Sequence, residues 1–314
     1  MKLHLFITIL FATSVGTAKP KLKREEDLLK IENGTVAVGI DKKKGASITY
    51  LSWKGYPKNT VNSADPGRLI QQSYYAGKAF DRIAEGQHKA WSPWTWNPIQ
   101  GGCVGAWAEV TKFEIENENV LFGETIPKLW DMDNEAAAAV MRQWTSFEKD
   151  MSNVIVVRNE FVAKREENDR WGSGVARHQE LPAFYFTRNF SQFESYIGGG
   201  KWRDESQAPG PPWGRTKPPL NVMACFNSGG QGIAMFSPCA TESWNFGPVG
   251  KSNSSDPAAS DCVHAAPIAT VKLGPKSKLS YRYWMVVGTR EEIEMRLAVL
   301  LKKYSTERLT LENP

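Results

Sequence analysis

The segments AAVMRQWTSF (138–147) and SNVIVVRNEFVA (152–163) decide the fold class of this chain. Both are rich in Val, Ile, Thr and aromatic residues, which favour extended backbone. Similar segments recur along the sequence, separated by turn residues such as Asn117 and Gly229: 34–40, 46–53, 105–115, 119–125, 183–186, 220–227, 232–237, 266–272 and 280–287. Strands that follow one another without alternating helices predict an all-β protein, a large antiparallel β-sandwich, and not a parallel α/β sheet.

One helix is predicted, near the C-terminus. Thr289 is a suitable N-cap, Glu291 and Glu292 follow in the first turn, and apolar residues continue at helical spacing. The apolar face comprises Ile293, Leu297, Leu300, Leu301 and Tyr304. We expect this helix to pack at the edge of the sandwich. The segment 198–219, crowded with Gly and Pro around Trp202 and Trp213, is predicted to be a long loop.

Composition limits the classes of function. The chain of 314 residues has 39 Lys and Arg against 34 Asp and Glu, and this net charge of +5 is too small to indicate a nucleic-acid partner. Charged residues make up 23% and apolar residues 41%, which fits a globular protein and not a disordered or multi-span membrane protein. With 12 Trp but only 4 His, a His-rich metal centre is excluded, and we expect neither a metal nor another cofactor.

The first residues have the pattern of a secretory signal peptide. A basic start is followed by an apolar segment and by small residues that end at Ala18, so we expect a signal peptide over 1–18 and a secreted, extracellular protein. The apolar segment is shorter than the roughly 20 residues of a bilayer span, so no membrane anchor is expected. The predicted organisation is a charged lead-in over 19–32 and a single β-sandwich domain over 33–314.

Secretion would place the cysteines in an oxidising compartment. We expect at least one disulfide, with Cys239–Cys262 closing a local loop and Cys103–Cys225 as the long-range partner; buried free thiols are the alternative. None of the four has the spacing of a zinc site. Three sequons predict glycosylation, at Asn33, Asn189 and Asn253.

The segment 91–102 concentrates aromatic residues. Its three Trp, broken by two Pro, cannot all point into one core, and exposed Trp rings bind the apolar faces of sugars. We therefore predict sugar contacts from Trp94 and Trp96, with Asn97 and Gln100 binding hydroxyls. The alternative is that these Trp close the end of a large sandwich.

Two further clusters carry candidate chemistry. Arg68 follows a Pro-Gly turn and can bind a carboxylate with two hydrogen bonds, while Tyr74 is a candidate proton donor. The alternative is an Arg68–Asp65 salt bridge with Tyr74 packed in a strand.

His178 lies between Arg177 and Glu180, a cation and a carboxylate that can orient it, and Glu242 beside Trp244 is a candidate general base. A structural His and a surface Glu are the alternatives. His88 and His264 are weaker candidates.

The order of these features resembles the galactose mutarotase-like, or aldose 1-epimerase-like, super-β-sandwich. The segments that carry the resemblance are GASITYL (45–51), Gly67-Arg68, NPIQGG (97–102) and the closing LGP (273–275) with SYRY (280–283). The resemblance implies that His178 protonates a ring oxygen and that Glu242 removes an anomeric proton. It departs at Gln100, where the family has a His.

Three functions remain open at the level of the sequence, and all share carbohydrate as the partner. The favoured one is a polysaccharide-degrading enzyme acting by β-elimination: Arg68 or Gln100 would neutralise a uronate, and His178 or Tyr74 would move protons. A hydrolase with two carboxylates, Glu180 and Glu242, is a variant of this. The others are a mutarotase-like epimerase and a non-catalytic lectin-like or matrix protein.

Overall fold

The structure, a computed structural model, describes residues 21–25, 27–62, 67–102, 106–249 and 262–313. The predicted signal peptide, Cys103, Asp65 and Asn253 lie outside the described residues. In the described part of the chain, the strands are β1 (Lys21–Glu25), β2 (Leu28–Glu32), β3 (Val36–Asp41), β4 (Ser47–Trp53), β5 (Gln71–Ser73), β6 (Ala76–Phe80), β7 (Trp94–Trp96), β8 (Pro98–Ile99), β9 (Glu109–Glu116), β10 (Val120–Ile126), β11 (Lys128–Leu129), β12 (Ala139–Phe147), β13 (Val154–Ala163), β14 (Arg177–Thr187), β15 (Gln192–Gly198), β16 (Lys201–Glu205), β17 (Gly214–Thr216), β18 (Val222–Phe226), β19 (Gln231–Phe236), β20 (Ser243–Pro248), β21 (Cys262–Val271), β22 (Lys278–Thr289) and β23 (Thr310–Glu312). The helix α1 spans Arg290–Tyr304, and short 3₁₀ turns occupy Lys42–Lys44, Ile83–Glu85, Lys89–Trp91 and Arg188–Phe190.

Two large antiparallel sheets form the sandwich, as predicted. Among the described residues, a ten-stranded sheet has the order β16-β15-β18-β19-β22-β13-β12-β10-β9 with β23 paired to β22, and a seven-stranded sheet has the order β11-β8-β5-β14-β21-β20-β17. A four-stranded sheet, β1-β2-β3-β4, and a two-stranded ribbon, β6-β7, complete the described sheets. Every strand segment predicted from the sequence is found, so the all-β fold class is confirmed.

The alternation of side chains along β13 shows how the core is built. Ile155, Val157 and Phe161 point between the two large sheets and join one extensive apolar cluster, whereas Val154 points to the opposite face. Because successive side chains of a strand alternate between faces, one apolar strand can fill two cores. The ten-stranded sheet therefore packs against the seven-stranded sheet on one side and against α1 on the other.

The predicted helix is confirmed, together with its cap. The Thr289 hydroxyl accepts a hydrogen bond from the backbone N–H of Glu292, and the Glu292 carboxylate accepts one from the backbone N–H of Thr289. Ile293, Leu297 and Leu300 are buried against β19 and β22. The helix thus lies on the outer face of the ten-stranded sheet, and not at the sandwich edge, because β22 has apolar residues on both of its faces.

Two segments differ from their predicted form. Within the expected lead-in, residues 21–25 and 28–32 form the paired strands β1 and β2, and in β2 Leu29 and Ile31 alternate with polar residues and pack into the main core. The predicted loop 198–219 contains β16 and β17, which extend the two sheets at their edges. β1, β2 and β16 have five residues each and β17 has three, which is too short for a periodic pattern to be recognised in the sequence.

The predicted Cys239–Cys262 bridge is not present in the structure, which holds no disulfide among the described residues. Cys239 lies in the turn after β19 of the ten-stranded sheet, and Cys262 begins β21 of the seven-stranded sheet. Cys225 on β18 is a buried thiol in the core between the sheets. Because the two residues belong to opposite sheets, their proximity in the sequence does not bring their thiols together.

Of the sequon residues in the described part of the chain, Asn33 donates a hydrogen bond to the Ser152 carbonyl at 2.8 Å, and the exposed Asn189 donates one to the Tyr56 hydroxyl at 3.0 Å. No helix within the described ranges is long and apolar enough to cross a membrane.

Candidate functional site

A groove crosses the outer face of the seven-stranded sheet, on the side away from the sandwich core. Along β21, Val263 and Ala265 point into that core, whereas Ile268 and Thr270 line the groove. The same alternation along β14 turns His178 and Glu180 outward and Leu181 inward. Because side chains alternate between the two faces of each strand, polar side chains from several strands lie on one surface.

The groove has two compartments. The large compartment has a volume of about 660 Å³ and contains Arg177, His178 and Asn245 in its wall. The small compartment has a volume of about 190 Å³ and is lined by, among others, Arg68 and Asn97. Four residues line both compartments and form the junction between them: Tyr75, Trp94, Glu180 and Trp213.

Aromatic rings form one wall of the small compartment. The Trp91 ring lies edge to face with Trp94 and with Trp130, each at 5.3 Å between ring centroids. The Trp94 indole N–H donates to the Asn97 side chain at 3.1 Å, and the Asn97 amide in turn donates to the Tyr74 carbonyl at 2.7 Å. Asn97 thus fixes the orientation of Trp94, whose half-buried ring faces the groove.

Tyr75, and not its neighbour Tyr74, presents its ring to the groove. The side-chain amide of Gln179 accepts from the Tyr75 N–H at 2.8 Å and donates to the Tyr75 carbonyl at 2.7 Å, which fixes the backbone there. Tyr74 points into the core, fully buried, and its hydroxyl donates to Gln72 at 3.0 Å and contacts the Tyr281 hydroxyl at 3.3 Å. Tyr74, the predicted proton donor, therefore lies in the core, and its neighbour Tyr75 lines the groove.

Among the described residues that line the groove, arginines outnumber carboxylates. Arg177 donates to the Gly77 carbonyl at 2.8 Å, and Arg215 on β17 approaches His178 with 3.5 Å between its Nη2 and the imidazole Nδ1. Arg68 lines the small compartment. Of the described residues that line the groove, Glu180 alone carries a carboxylate. The surplus of positive charge favours an anionic ligand.

Beneath the junction, a buried histidine contacts Glu180. His264 Nε2 lies 3.4 Å from Glu180 Oε1, and the imidazole ring packs against Trp213 at 4.4 Å and Tyr185 at 4.5 Å between centroids. Glu180 itself is 9% exposed. The junction therefore combines a carboxylate, an imidazole and two tyrosines, Tyr75 and Tyr185.

The two tyrosine hydroxyls are held in their neutral form. Burial raises the pKa of Tyr75, and the negative charge of Glu180 raises it further. The pKa of Tyr185 is raised by the same two causes, against which the positive charge of Arg68 acts in part. A tyrosine with a raised pKa remains protonated at neutral pH, so it can donate a hydrogen bond, or a proton to a group more basic than itself.

Other predicted site residues lie away from the groove. Trp96 is 1% exposed and packs against Phe161 and Arg165. Gln100 is buried, and its side-chain oxygen accepts from the Gln72 N–H at 3.0 Å. Glu242 is exposed before β20 and lines neither compartment.

The structure adds groove residues that the sequence analysis did not single out for the site: Tyr75, Tyr185, Trp213, Arg215 and Asn245. His264, which the sequence ranked low, lies directly beneath them. Two signals in the sequence could have pointed to these residues. One is Trp213, an aromatic residue in the Gly- and Pro-rich segment 198–219, and the other is the alternation of side chains along 262–271. In the described part of the chain, no three His, Cys, Asp or Glu side chains cluster closely enough to hold a metal ion.

No family model and no curated protein matches this chain. Among solved structures, a TPR-domain containing protein from Parabacteroides distasonis is similar, with a TM-score of 0.47, 10% identity and coverage of 84% of this chain and 47% of its own. A heparan sulfate lyase from Pedobacter heparinus has a TM-score of 0.43, 8% identity and coverage of 86% and 36%. A galactose mutarotase-like protein from Clostridium acetobutylicum has a TM-score of 0.47, 9% identity and coverage of 87% and 99%. The chain spans about half or less of the first two.

Proposed function

We propose that this protein binds an acidic polysaccharide in the groove and cleaves it by β-elimination. The observation that carries the proposal is the convergence, on one groove, of aromatic faces, arginines and a pair of proton-transfer groups. Trp94 and Trp213 offer ring faces for sugar stacking, and Tyr75 and His178 supply the proton-transfer groups.

The charge of the groove selects the class of sugar. Among the described lining residues, there are two arginines, Arg68 and Arg177, and one carboxylate, that of Glu180. Arg215 on β17 approaches the lining residue His178. Guanidinium groups bind carboxylates through paired, charge-assisted hydrogen bonds. A uronate-containing chain therefore fits the groove better than a neutral one.

The proposed reaction divides the substrate between the two compartments. The uronate that reacts lies in the large compartment, where Arg215 faces its carboxylate and His178 takes the proton from C5. The bond from C4 to the glycosidic oxygen breaks, a double bond forms between C4 and C5, and Tyr75 at the junction protonates the leaving oxygen. Solvent then returns the proton from His178 to Tyr75. Arg68 faces the next sugar, in the small compartment.

Elimination is favoured over the two alternatives that need Glu242. A two-carboxylate hydrolase requires a second acidic group at the reacting sugar. The mutarotase-like reaction, as the resemblance implies it, uses Glu242 to remove the anomeric proton. Glu242 is exposed and outside both compartments, so Glu180 has no carboxylate partner among the described residues that line the groove.

To test the proposal, the purified protein is incubated with uronate-containing polysaccharides. Elimination creates unsaturated sugar ends, and their absorbance is followed. We expect activity from the native protein and a loss of about 10²- to 10⁴-fold in Tyr75→Phe and His178→Ala. Tyr74→Phe is the matched control, because it removes a hydroxyl one residue away that faces the core. Binding without any absorbance change across the panel would refute elimination and favour a lectin-like protein.

A further inference from the structure

The two compartments of the groove differ in size and in enclosure. The small compartment has a volume of about 190 Å³ and is the more enclosed, whereas the large compartment has about 660 Å³ and is more open to solvent. Pockets that hold drug-sized ligands measure about 300–1,000 Å³. The small compartment therefore has room for one sugar unit, and the large compartment has room for several consecutive units.

One wall of the small compartment is a series of tryptophans that leads away from the junction. The rings of Trp94, Trp91 and Trp130 follow one another, each in edge-to-face contact with the next. Trp130 lies directly against the backbone of Gly67, where an added Cβ atom would come within 2.0 Å of the ring. The Trp130 N–H also donates to the Asn97 carbonyl at 3.0 Å. This wall is therefore fixed against the backbone on its far side.

A second wall comes from the segment before β17. Pro211 and Val249 line the small compartment, and Trp213 continues this wall to the junction. The Gly210 N–H donates to the Pro248 carbonyl at 2.8 Å, and Gly210 forms a parallel bridge with Val249. Backbone contacts thus hold this wall in place, so the described residues define a compartment of fixed size.

We infer that the groove receives the end of a polysaccharide chain, so that each elimination releases a single sugar from the nonreducing end. This inference rests on the proposed function. The bond that breaks joins C4 of the uronate to an oxygen that remains on C1 of the sugar at its nonreducing side. With the uronate in the large compartment, the leaving sugar occupies the small compartment, which holds one unit. The rest of the chain extends through the large compartment toward its reducing end.

Repeated cleavage then restricts the substrate to chains of contiguous uronates linked through C4. Each elimination leaves an unsaturated uronate at the new nonreducing end, and this unit occupies the small compartment in the next cycle. The sugar behind it must again be a uronate, because its carboxylate makes the C5 proton removable. Where uronates alternate with amino sugars, the next cleavable bond lies two units from the end, which is more than the small compartment holds.

The order of product release tests the inference. An oligouronate of six sugars, labelled at its reducing end, is incubated with the native full chain, and the labelled products are sized by mass spectrometry at early conversion. We expect the five-sugar product first and the four-sugar product next, with single sugars released. An alternating oligosaccharide of amino sugar and uronate should lose at most one sugar. Labelled fragments of two or three sugars at the outset, or continued degradation of the alternating chain, overturn the inference.

Trp130 is the residue that we expect to limit the length of the released product. Trp130→Ala removes the last ring of the series and should shift release from one sugar toward two. Trp144→Ala is the matched control, because its ring stacks on Phe122 on the outer face of the ten-stranded sheet, away from the groove, and should keep single-sugar release. Single-sugar release from a folded Trp130→Ala variant would contradict the limiting role of this wall.

Binding measurements separate the inference from the proposed reaction. Calorimetry on Tyr75→Phe compares oligouronates that carry a bulky group on the nonreducing-end sugar or on the reducing-end sugar. We expect the first group to weaken binding at least about tenfold, because it clashes with the compartment walls, and the second to have no effect. Equal affinity for both, or a loss confined to the second, overturns the inference. If no polysaccharide is cleaved, the proposed function falls, whereas the calorimetry still decides whether the groove receives a chain end.

Discussion

Two neighbouring tyrosines, in the short connection between β5 and β6, point in opposite directions. Tyr75 reaches the groove, while Tyr74 hydrogen-bonds Gln72 and Tyr281 inside the core. The sequence places both tyrosines together but does not decide between them, because β5 is three residues long and its residues are polar on both faces. The alternation of apolar and polar residues can be recognised in a sequence only when the strand is longer than this.

The tryptophans of β7 give a prediction at the scale of one residue. Trp94→Ala should weaken binding of an acidic oligosaccharide by about 1–1.5 kcal/mol, roughly tenfold, because it removes an aromatic face from both compartments. Its thermal stability should change little, since the ring is only half buried. Titration calorimetry and thermal unfolding measure the two effects.

Trp96→Ala is the matched comparison. This ring is enclosed by Phe161 and Arg165, and its loss should reduce the free energy of unfolding by about 3–5 kcal/mol. Sugar affinity, measured where the variant remains folded, should be unchanged. A Trp94→Ala variant with native affinity would remove this ring from the sugar site.

At the scale of an element, α1 shows why its prediction succeeded. Its cap, its acidic first turn and its apolar spacing all lie within one continuous segment, so local sequence specifies it. Its location was not specified, because the face of the ten-stranded sheet that receives it is assembled from β13, β18, β19 and β22. Local signals define elements, whereas the surfaces to which they pack come from distant strands.

The attachment of α1 to the sheet depends on a buried carboxylate. Glu148 accepts hydrogen bonds from Tyr304 at 2.6 Å, from Lys303 at 3.0 Å and from the Trp284 indole at 3.0 Å. Burial alone would raise the pKa of Glu148, but these hydrogen bonds outweigh it and hold the pKa below its ordinary value of 4.5. The carboxylate therefore favours the folded state when it is charged.

This gives a pH prediction with a definite sign. A depressed pKa in the folded state contributes stability that is present above pH 4.5 and is lost as the pH falls through the lowered folded value. Glu148→Gln should destabilise the protein by about 1–3 kcal/mol at neutral pH, and the difference from wild type should shrink in acid. Denaturant unfolding at several pH values measures it.

The control for that experiment is Glu166→Gln, which breaks a surface ion pair with Lys276. Exposed pairs of this kind contribute about 0–1 kcal/mol, so little change is expected at any pH. Equal behaviour of the two variants would contradict the anchoring role of Glu148.

At the scale of the whole molecule, the groove could be predicted only in part. Arg68, Trp94, Asn97, Arg177, His178 and Glu180 were identified from their local settings, and all line the groove. Trp213, Arg215, Asn245 and His264 come from β17, β20, β21 and the segment before β17, and nothing in their local sequence connects them. Pairing between distant strands brings them together, and a single sequence carries no record of that pairing.

The thiols report on the integrity of the whole sandwich. Cys225 faces the core between the two large sheets, and Cys239 packs in the same apolar cluster. Burial raises the pKa of both thiols, that of Cys239 to about 12, and the thiolate is the reactive form. We therefore expect neither thiol to react until the core between the sheets is exposed.

We expect Cys225 and Cys239 in the native protein to resist alkylation at neutral pH and to react fully in denaturant, with peptide mass spectrometry identifying each site. Because exposure of the core between the sheets requires global opening, both should be labelled at the same rate in mild denaturant, and that rate should follow the population of unfolded protein. A reducing agent should leave the melting temperature unchanged. A Cys239–Cys262 cross-linked peptide, or a melting temperature lowered by reduction, would show instead that the chain matures with the disulfide that its sequence first suggested.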